Sequence, residues 1–390
     1  MEKSPQQAPR WLRGHASAIA VLHIRCDNMQ LTRETSHTRN MDVVKRVPSG
    51  MTKKIGFLNF GHFGYDRASG TVDPKAALDD QLAMTVAAEQ EGLDGAWIRV
   101  HHFQWMLSAP FPTLAAMAAQ TTTIELGTGV IDLRYENPLY FAEEAATTDL
   151  IADGRLQLGI SRGSPEAAID GQEQFGYTLT PGQTWADVAQ ERGQRIRAAV
   201  GGQPVATGDP NSPWSPGGAT ELVTQPQSPG LAHRLWWGSG STSSGIVAGQ
   251  QGYNLLSSTL LLQDDGRPFH LQQADQLRRY RQAYADSGYG TGGKTAVTRS
   301  MFALRSVQDE RMFGHAGSHR DQAGQLEGGP ARSGPTYVGT VDQMAETLAQ
   351  DEALVEADYI LFANPAQLGP ERNREIFAGW MEVFKTLGWK

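Results

Sequence analysis

The chain has 390 residues, of which 39% are hydrophobic, and a formal net charge of −8 at pH 7. This length suits one large α/β barrel or two ordinary domains, and the acidic balance argues against nucleic acid or an anionic membrane as the main partner. Cys26 is the single cysteine, so the sequence excludes an internal disulfide and a cysteine-rich metal site, and a reducing cytoplasm is the simplest setting. No apolar run approaches the ~20 residues that a membrane span needs.

Residues 1–50 differ in composition from the rest of the chain. They mix basic residues with Ser, Thr and Gln, and their one short apolar run, residues 16–24, contains His23. No small-residue cleavage site follows that run, so a disordered extension is favoured over a secretory signal. Regular sequence begins directly after Met51, which is an alternative natural start, and the folded domain is predicted over residues 51–390.

From residue 54 onward, short apolar strands alternate with helical patterns. Strands are predicted at residues 55–60, 95–100, 123–131, 155–160, 234–237, 253–257, 296–304 and 357–362. The first helix opens at Pro74 and ends at Gly92, and others are predicted at residues 113–120, 138–151, 241–250, 267–286, 341–355 and 371–387. Strict alternation with short connections implies a parallel sheet. Eight strands in alternation with helices favour a closed (β/α)8 TIM barrel over an open doubly wound sheet.

Two stretches interrupt this alternation. Gly and Pro are dense in residues 200–230, which we interpret as a surface excursion. Residues 306–335 contain six glycines and many charges, with no periodic apolar face. A loop of this length in a compact domain is usually a functional lid or a disordered segment. Because the segment follows the seventh strand, we predict a lid over the barrel mouth.

The stretch 154–164, Gly-Arg-Leu-Gln-Leu-Gly-Ile-Ser-Arg-Gly-Ser, combines a short strand with a cationic turn at Ser161, Arg162 and Gly163. The C-terminal ends of barrel strands carry active sites, and a guanidinium offers fixed donors for a phosphate or a ring carbonyl. Taken alone, the stretch favours an ordinary strand with a surface arginine. The binding interpretation depends on two further stretches of the same kind, 236–245 and 97–103.

Residues 238–245, Gly-Ser-Gly-Ser-Thr-Ser-Ser-Gly, follow one predicted strand and open a helix. A helix start presents unpaired backbone N–H groups and a positive dipole end, which suit a phosphate. Ser241 and Ser244, next to Gly240, add hydroxyl donors one turn apart. The alternative is a plain helix N-cap. A cap needs one serine rather than four between flanking glycines, so a phosphate site is favoured.

The pair His101-His102 stands where the second strand should end, beside Phe103 and Trp105. Neighbouring residues on a strand point to opposite faces, so at most one of the two imidazoles faces the barrel interior. A paired metal site is therefore disfavoured, and no metal is predicted. One interpretation is a catalytic acid–base histidine in an aromatic pocket, and the other is a hydrogen-bonded structural histidine. The position at a strand's C-terminal end favours the catalytic role for His101.

Together these stretches resemble the bacterial luciferase-like flavin-dependent monooxygenases, and the likeness runs over residues 55–387. The pieces that carry it follow the family's order and spacing: 97–103 ending in His-His-Phe, 126–130 with the pair at 137–138, 153–163, 240–244 with 250–252, and 338–340. The resemblance implies a (β/α)8 barrel that binds reduced FMN at its C-terminal mouth.

The resemblance also implies roles for single residues. His101 matches the family's catalytic histidine, and Ser161 stands where bacterial luciferase has a reactive cysteine near the flavin ring. The matches to the flavin phosphate site are Arg162 together with Gly240, Ser241 and Ser244 of the serine-rich loop. Residues 306–335 match a mobile loop that shields the flavin from water. One departure is Val100, which stands where many relatives have a carboxylate.

The implied activity is a flavin-dependent monooxygenase that uses reduced FMN and O2 on a small organic substrate, with aldehydes or ketones as one class. No Gly-x-Gly-x-x-Gly fingerprint follows a predicted strand, so a separate flavin reductase would supply the reduced FMN. We further expect a cytoplasmic homodimer. Three alternatives stay open: a deazaflavin-dependent oxidoreductase that transfers hydride without O2, a non-catalytic flavin-binding partner subunit, and a phosphate-handling barrel such as an aldolase. The last would want a barrel lysine, which the predicted strands lack beyond their termini.

Overall fold

A computed structural model describes the chain from residue 52 to residue 390, apart from residues 64, 67–70, 164–166, 215–217, 219, 291, 318–320 and 327–328. The predicted N-terminal extension, residues 1–50, lies outside the described residues. Among the helices in the described part of the chain, none is both long enough and apolar enough to cross a bilayer.

Eight parallel strands close into a barrel, which confirms the predicted fold. They are β1 Lys54–Asn59, β2 Gly95–Ile98, β3 Glu125–Asp132, β4 Leu156–Ser161, β5 Leu235–Ser239, β6 Asn254–Ser257, β7 Thr295–Ala303 and β8 Tyr359–Ala363. Their order around the barrel is β6-β5-β4-β3-β2-β1-β8-β7, and β6 pairs with β7 to close it. Each strand end lies within two residues of its predicted position.

Eight helices surround the strands. They are α1 Pro74–Glu91, α2 Pro110–Ala119, α3 Pro138–Ile151, α4 Trp185–Val200, α5 Thr242–Gln250, α6 Phe269–Asp286, α7 Val341–Leu348 and α8 Gly369–Thr386. Four of them carry a proline in the first turn. Backbone N–H groups there have no acceptor within the helix, so the missing N–H of proline costs no hydrogen bond. The predicted helix 341–355 is instead two helices, α7 and Glu352–Glu356, because the side chain of Asp351 accepts from the Leu354 N–H and caps the second one.

The remaining regular segments are short. Strand Thr336–Gly339 pairs in parallel with the end of β7. The others are the antiparallel pairs Tyr65–Asp66 with Thr71–Val72 and Ala206–Thr207 with Glu221–Leu222, the helix Gly171–Gln174, and the 3-10 turns Leu133–Tyr135, Leu231–Arg234 and Ala366–Leu368. The predicted excursion at residues 200–230 thus contributes one two-residue strand pair, separate from the barrel sheet.

The segment 306–335 is more ordered than a loop. It contains a helix, Val307–Phe313, and a hairpin of Gln322–Leu326 with Gly329–Ser333. The hairpin pairs with Leu260–Leu261, which follows β6. The expectation of a long irregular loop was therefore wrong, because the third strand of this small sheet, Leu260–Leu261, comes from about 70 residues away and leaves no local period in the sequence.

The core has two layers. Inside the barrel, buried aromatic rings meet edge to face, with centroids 5.6 Å apart for Trp97 and Trp236 and 5.5 Å for Trp97 and Tyr359. A larger apolar cluster fills the space between strands and helices. Phe60 and Val130 pack on the inner cluster near the C-terminal strand ends, so they form the floor of the barrel mouth.

Candidate functional site

Ser161 ends β4 and lies inside the barrel mouth. Its side chain is 8% exposed, and a Cβ built on Gly238 of β5 would stand 3.4 Å from the Ser161 Cβ. The Ser161 hydroxyl accepts a hydrogen bond from the Gly163 N–H at 2.8 Å. Gly163 has a φ of +87°, and any side chain there would collide with the Asp132 carboxylate. The glycine is therefore required both by its backbone conformation and by the close approach of Asp132.

Arg162 follows Ser161 and is exposed. Ile160 of β4 stands opposite Trp237 of β5, so Arg162 is level with Ser239 and two residues short of Ser241. The register thus brings the basic turn and the serine-rich loop to neighbouring positions at the same end of the barrel.

The serine-rich loop is held in place by its own hydrogen bonds. Ser241 caps α5, with its Oγ 3.3 Å from the Ser244 N–H. The Ser244 hydroxyl lies 3.3 Å from the indole N–H of Trp237, which donates to it. From α6, Gln276 donates to the Ser241 carbonyl at 2.8 Å, and the Gly240 carbonyl accepts from Leu262 at 2.7 Å. Ser241 thus caps α5, and the same hydrogen bonds hold the backbone at the start of this helix in a fixed position.

His101 and His102 lie in different surroundings, although the strand β2 ends at Ile98 and neither histidine is part of it. His101 is 6% exposed, and its Nε2 accepts a hydrogen bond of 2.6 Å from the Nε–H of Arg99. The ring of His102 instead packs on Tyr135, 4.3 Å away, and on Phe175 at 5.1 Å. His101 therefore belongs to a polar group, and His102 to an aromatic cluster.

Arg99 was missed in the sequence. It follows β2, and its N–H donates to the Asn59 carbonyl at 2.8 Å, which extends the pairing with β1. Arg99 stands two residues after Trp97, so it points to the same interior face, and its guanidinium lies 5.0 Å above the Phe60 ring. The i, i+2 spacing of Arg99 and His101 on a strand was the signal that could have revealed the pair.

A third basic side chain, His62, lies close to Arg99 and His101. His62 follows β1, and its ring is stacked beside Phe60 with centroids 6.0 Å apart. Partial burial lowers the pKa of His62, and the neighbouring His101 and Arg99 lower it further. A neutral His62 at physiological pH is the consequence.

An acidic cluster follows the end of β3, and the sequence did not reveal it. Asp132 is 3% exposed and pairs with Arg134 at 2.6 Å. Burial, followed by the nearby carboxylates Glu144 and Asp132, raises the pKa of Glu136 to about 7, and Arg192 acts in the opposite direction. Within the described residues, no three His, Cys, Asp or Glu side chains come together as a metal site.

Comparison with known proteins identifies the family of this barrel. A family model described as luciferase-like monooxygenase matches residues 58–312. The oxygenase component of the flavin-dependent trigonelline monooxygenase of Acinetobacter baylyi is 32% identical over 138 residues, which are 35% of this chain and 35% of that protein. The F420-dependent glucose-6-phosphate dehydrogenase of Amycolatopsis mediterranei is 32% identical over 119 residues, 28% of this chain and 34% of that protein. These alignments span about a third of each relative's length.

Among solved structures, the barrel superposes on the oxygenating constituent of 3,6-diketocamphane monooxygenase from Pseudomonas putida, a type II Baeyer–Villiger monooxygenase in complex with FMN. The TM-score is 0.60 at 16% sequence identity, covering 86% of this chain and 97% of that one. This likeness supports the fold. Because the family model covers more than half of the chain, including β2 to β7, the chain belongs to the luciferase-like monooxygenase family.

Proposed function

We propose that this chain is the oxygenase component of a two-component flavin system, which uses reduced FMN and O2 to monooxygenate a small organic molecule. The observation that supports the proposal is that Ser161 ends β4 and that His101 and the start of α5 follow β2 and β5, so all three belong to the same end of one closed barrel. Active sites of such barrels lie at this end. Membership of the luciferase-like family supports the same activity.

The donors at the mouth fit a flavin mononucleotide. The start of α5 presents backbone N–H groups with the hydroxyls of Ser241 and Ser244, and Gly240 adds no side chain that would obstruct a phosphate. Arg162 stands level with this loop on the neighbouring strand and supplies a positive charge. We assign these residues to the phosphate, and the interior polar side chains Ser161 and His101 to the ring.

Reduced FMN, when bound, supplies the electrons that activate O2. The protein residues position the cofactor and exclude water. Phe60 and Val130 close the mouth from below, and the segment 306–335, which follows β7, is proposed to cover it from above. His101 is proposed to take part in proton transfer at the reacting groups.

The proposed partners follow from this activity. The relative from Acinetobacter baylyi is named an oxygenase component, which supports a separate flavin reductase as the source of reduced FMN. We propose aldehydes or ketones as the first substrate class to test. A cytoplasmic homodimer completes the proposal, and light scattering on the purified protein tests the dimer.

A second candidate is a deazaflavin-dependent oxidoreductase that transfers hydride without O2. The match to an F420-dependent dehydrogenase favours it. The same loop at α5 would receive the phosphate of either coenzyme, so the phosphate site does not distinguish the two.

Cofactor titration and oxygen uptake distinguish the candidates. The purified protein is titrated anaerobically with reduced FMN and, separately, with reduced F420. It is then mixed with FMN, NADH and a flavin reductase, and O2 uptake is recorded with a panel of aldehydes and ketones. We expect FMN binding and substrate-dependent O2 uptake. Binding of F420 alone would establish the deazaflavin candidate, and FMN binding without O2 uptake would support a non-catalytic partner subunit.

A further inference from the structure

We propose that a short segment after β6 is a positioning element of the phosphate site and couples that site to the hairpin. This strap, residues 258–264, is bonded both to the serine-rich loop and to the hairpin. A phosphate bound at the start of α5 and the docked hairpin therefore stabilise each other. The phosphate half of this inference rests on the proposed function. The coupling between loop and hairpin stands on the contacts of the strap.

The strap holds the serine-rich loop at two positions. The Leu262 N–H donates to the Gly240 carbonyl at 2.7 Å. The side-chain amide of Gln263, the next residue, donates to the hydroxyl of Thr242 at 2.5 Å, and Thr242 is the first residue of α5. Gly240 and Thr242 flank Ser241 in the sequence. A movement of the strap therefore also moves the backbone that is proposed to receive the phosphate.

The same strap carries the hairpin. Leu260 stands opposite Ser333, and Leu261 stands opposite Arg332, in an antiparallel pairing. The Arg332 guanidinium also donates to both carboxylate oxygens of Asp264, with Nε 2.8 Å from Oδ1 and Nη2 3.0 Å from Oδ2. Two parallel bonds between charged groups fix the relative orientation of the partners as well as their distance. The strand pairing and the charged link of the hairpin thus meet on the segment that holds the loop.

Adjacent residues of the strap serve the two partners. Gln263 contacts α5, and Asp264 contacts the hairpin. A phosphate that orders the start of α5 fixes Gln263 and, with it, the carboxylate that the hairpin binds. By linkage, docking of the hairpin raises the affinity for phosphate by the same factor. Gln276 of α6 holds the loop independently through the Ser241 carbonyl at 2.8 Å, so cutting the link to the hairpin should leave the loop folded and remove the coupling.

Two flavins that differ only by the phosphate test the coupling. The protein is titrated anaerobically with reduced FMN and with reduced riboflavin. The double variant Asp264→Asn, Arg332→Leu cuts the link to the hairpin and leaves the net charge near the phosphate unchanged. We expect its FMN affinity to fall roughly 5- to 20-fold, within the usual range for coupled sites, and its riboflavin affinity to stay the same. The matched control, Lys75→Leu with Asp79→Asn, removes an exposed ion pair of α1 and should change neither affinity.

Hydrogen exchange of the flavin-free protein tests the same link from the other side. Thr242→Val removes the hydroxyl that Gln263 contacts. We expect faster exchange at the Leu262 amide and also at the hairpin amides of residues 329–333, because a loosened strap holds the hairpin less firmly. Thr347→Val makes the same change at an exposed position of α7 and should leave these amides unchanged. Faster exchange at Leu262 with an unchanged hairpin would overturn the proposal.

Failure of the coupling differs from failure of the proposed function. If the double variant binds both flavins equally more weakly, the hairpin acts as a general cover, and coupling through the phosphate site is wrong. Unchanged affinities for both flavins would refute it as well. If the parent binds FMN no more tightly than riboflavin, the phosphate assignment is wrong, and if it binds neither FMN nor F420, the proposed function is wrong. In both cases the exchange rates of the flavin-free protein still decide whether the strap couples the loop to the hairpin.

Discussion

The guanidinium of Arg332, in the hairpin, donates two hydrogen bonds to the carboxylate of Asp264, which lies in the loop after β6. The Arg332 Nε is 2.8 Å from Oδ1 of Asp264, and Nη2 is 3.0 Å from Oδ2. The bond from Arg332 is the main reason that the pKa of Asp264 falls to about 2. Because the pKa of Asp264 is lower in the folded protein, its ionised carboxylate stabilises the fold at pH values above the ordinary pKa of 3.8. That contribution is lost as the pH falls through about 2. The ion pair between Arg332 and Asp264 is therefore intact at every physiological pH.

Arg332→Ala should loosen the segment 306–335. In the described part of the chain, the hairpin pairs as a strand with Leu260–Leu261, and Arg332 links it further to Asp264, so loss of this arginine should weaken its attachment. We expect faster protease cleavage inside the segment than in the parent or in the surface variant Arg279→Ala. Reduced FMN should protect the parent. Equal cleavage rates with and without flavin would count against a lid.

Ser241→Asp separates helix capping from phosphate binding. Aspartate caps a helix as well as serine does, but its charge repels a phosphate. We expect the parent's thermal stability together with a large loss of FMN affinity. Ser241→Ala should instead cost about 0.5–2 kcal/mol of stability.

Arg162→Ala should weaken FMN binding by about 1.5–3 kcal/mol, the size of a charged hydrogen bond. Isothermal titration calorimetry measures the FMN affinity of Arg162→Ala and of Ser241→Asp. Unchanged FMN affinity in Arg162→Ala and Ser241→Asp would mean that the phosphate lies elsewhere.

The sequence predicted the barrel well. The eight strands were predicted because short apolar runs alternate with helical patterns, and His101, Ser161 and Ser241 were proposed as site residues because they follow those runs. The donor to His101 was missed, although Arg99 is only two residues away, because its direction depends on the packing over Phe60. The hairpin pairing with Leu260–Leu261 was missed because strand partners that are distant in sequence leave no periodic signal.

A buried ion pair behind β7 should be essential for stability. Arg299 and Asp351 are each 1% exposed and 2.9 Å apart, and the Tyr337 hydroxyl donates to Asp351 at 2.7 Å. Burial alone would raise the pKa of Asp351, but Arg299 and Tyr337 lower it. The contribution of Asp351 to stability is therefore present above its ordinary pKa and is lost as the pH falls through the lowered value.

Asp351→Ala leaves a buried guanidinium without its carboxylate, so we expect a loss of about 3–5 kcal/mol in the free energy of unfolding. The double variant Arg299→Met, Asp351→Leu removes both charges and should recover most of that loss. Urea denaturation measures the free energy of unfolding of the parent, the single variant and the double variant. A double variant no more stable than Asp351→Ala would show that the loss comes from the bonds that Asp351 accepts from Tyr337 and from the Leu354 N–H, rather than from the unpaired guanidinium.

Glu136→Gln should stabilise the protein above neutral pH. The pKa of Glu136 is raised from 4.5 to about 7, so the folded state binds this proton more tightly than the unfolded chain. Stability therefore falls as the pH rises from 4.5 to 7, by at most about 3 kcal/mol. Glutamine removes the titration. Denaturation of both proteins at pH 4 and pH 8 should differ only at pH 8, and an equal difference at both values would refute the assignment.

The central claim is that the barrel mouth holds reduced FMN with His101 at the reacting side. The most direct test measures FMN affinity and substrate-dependent O2 turnover for the parent, His101→Ala and His102→Ala. We predict that His101→Ala keeps FMN affinity and loses ~10²–10⁴-fold in turnover. His102 packs on Tyr135, so His102→Ala should mainly lose stability. If His101→Ala turns over like the parent, the histidine is structural and the active-site assignment is wrong.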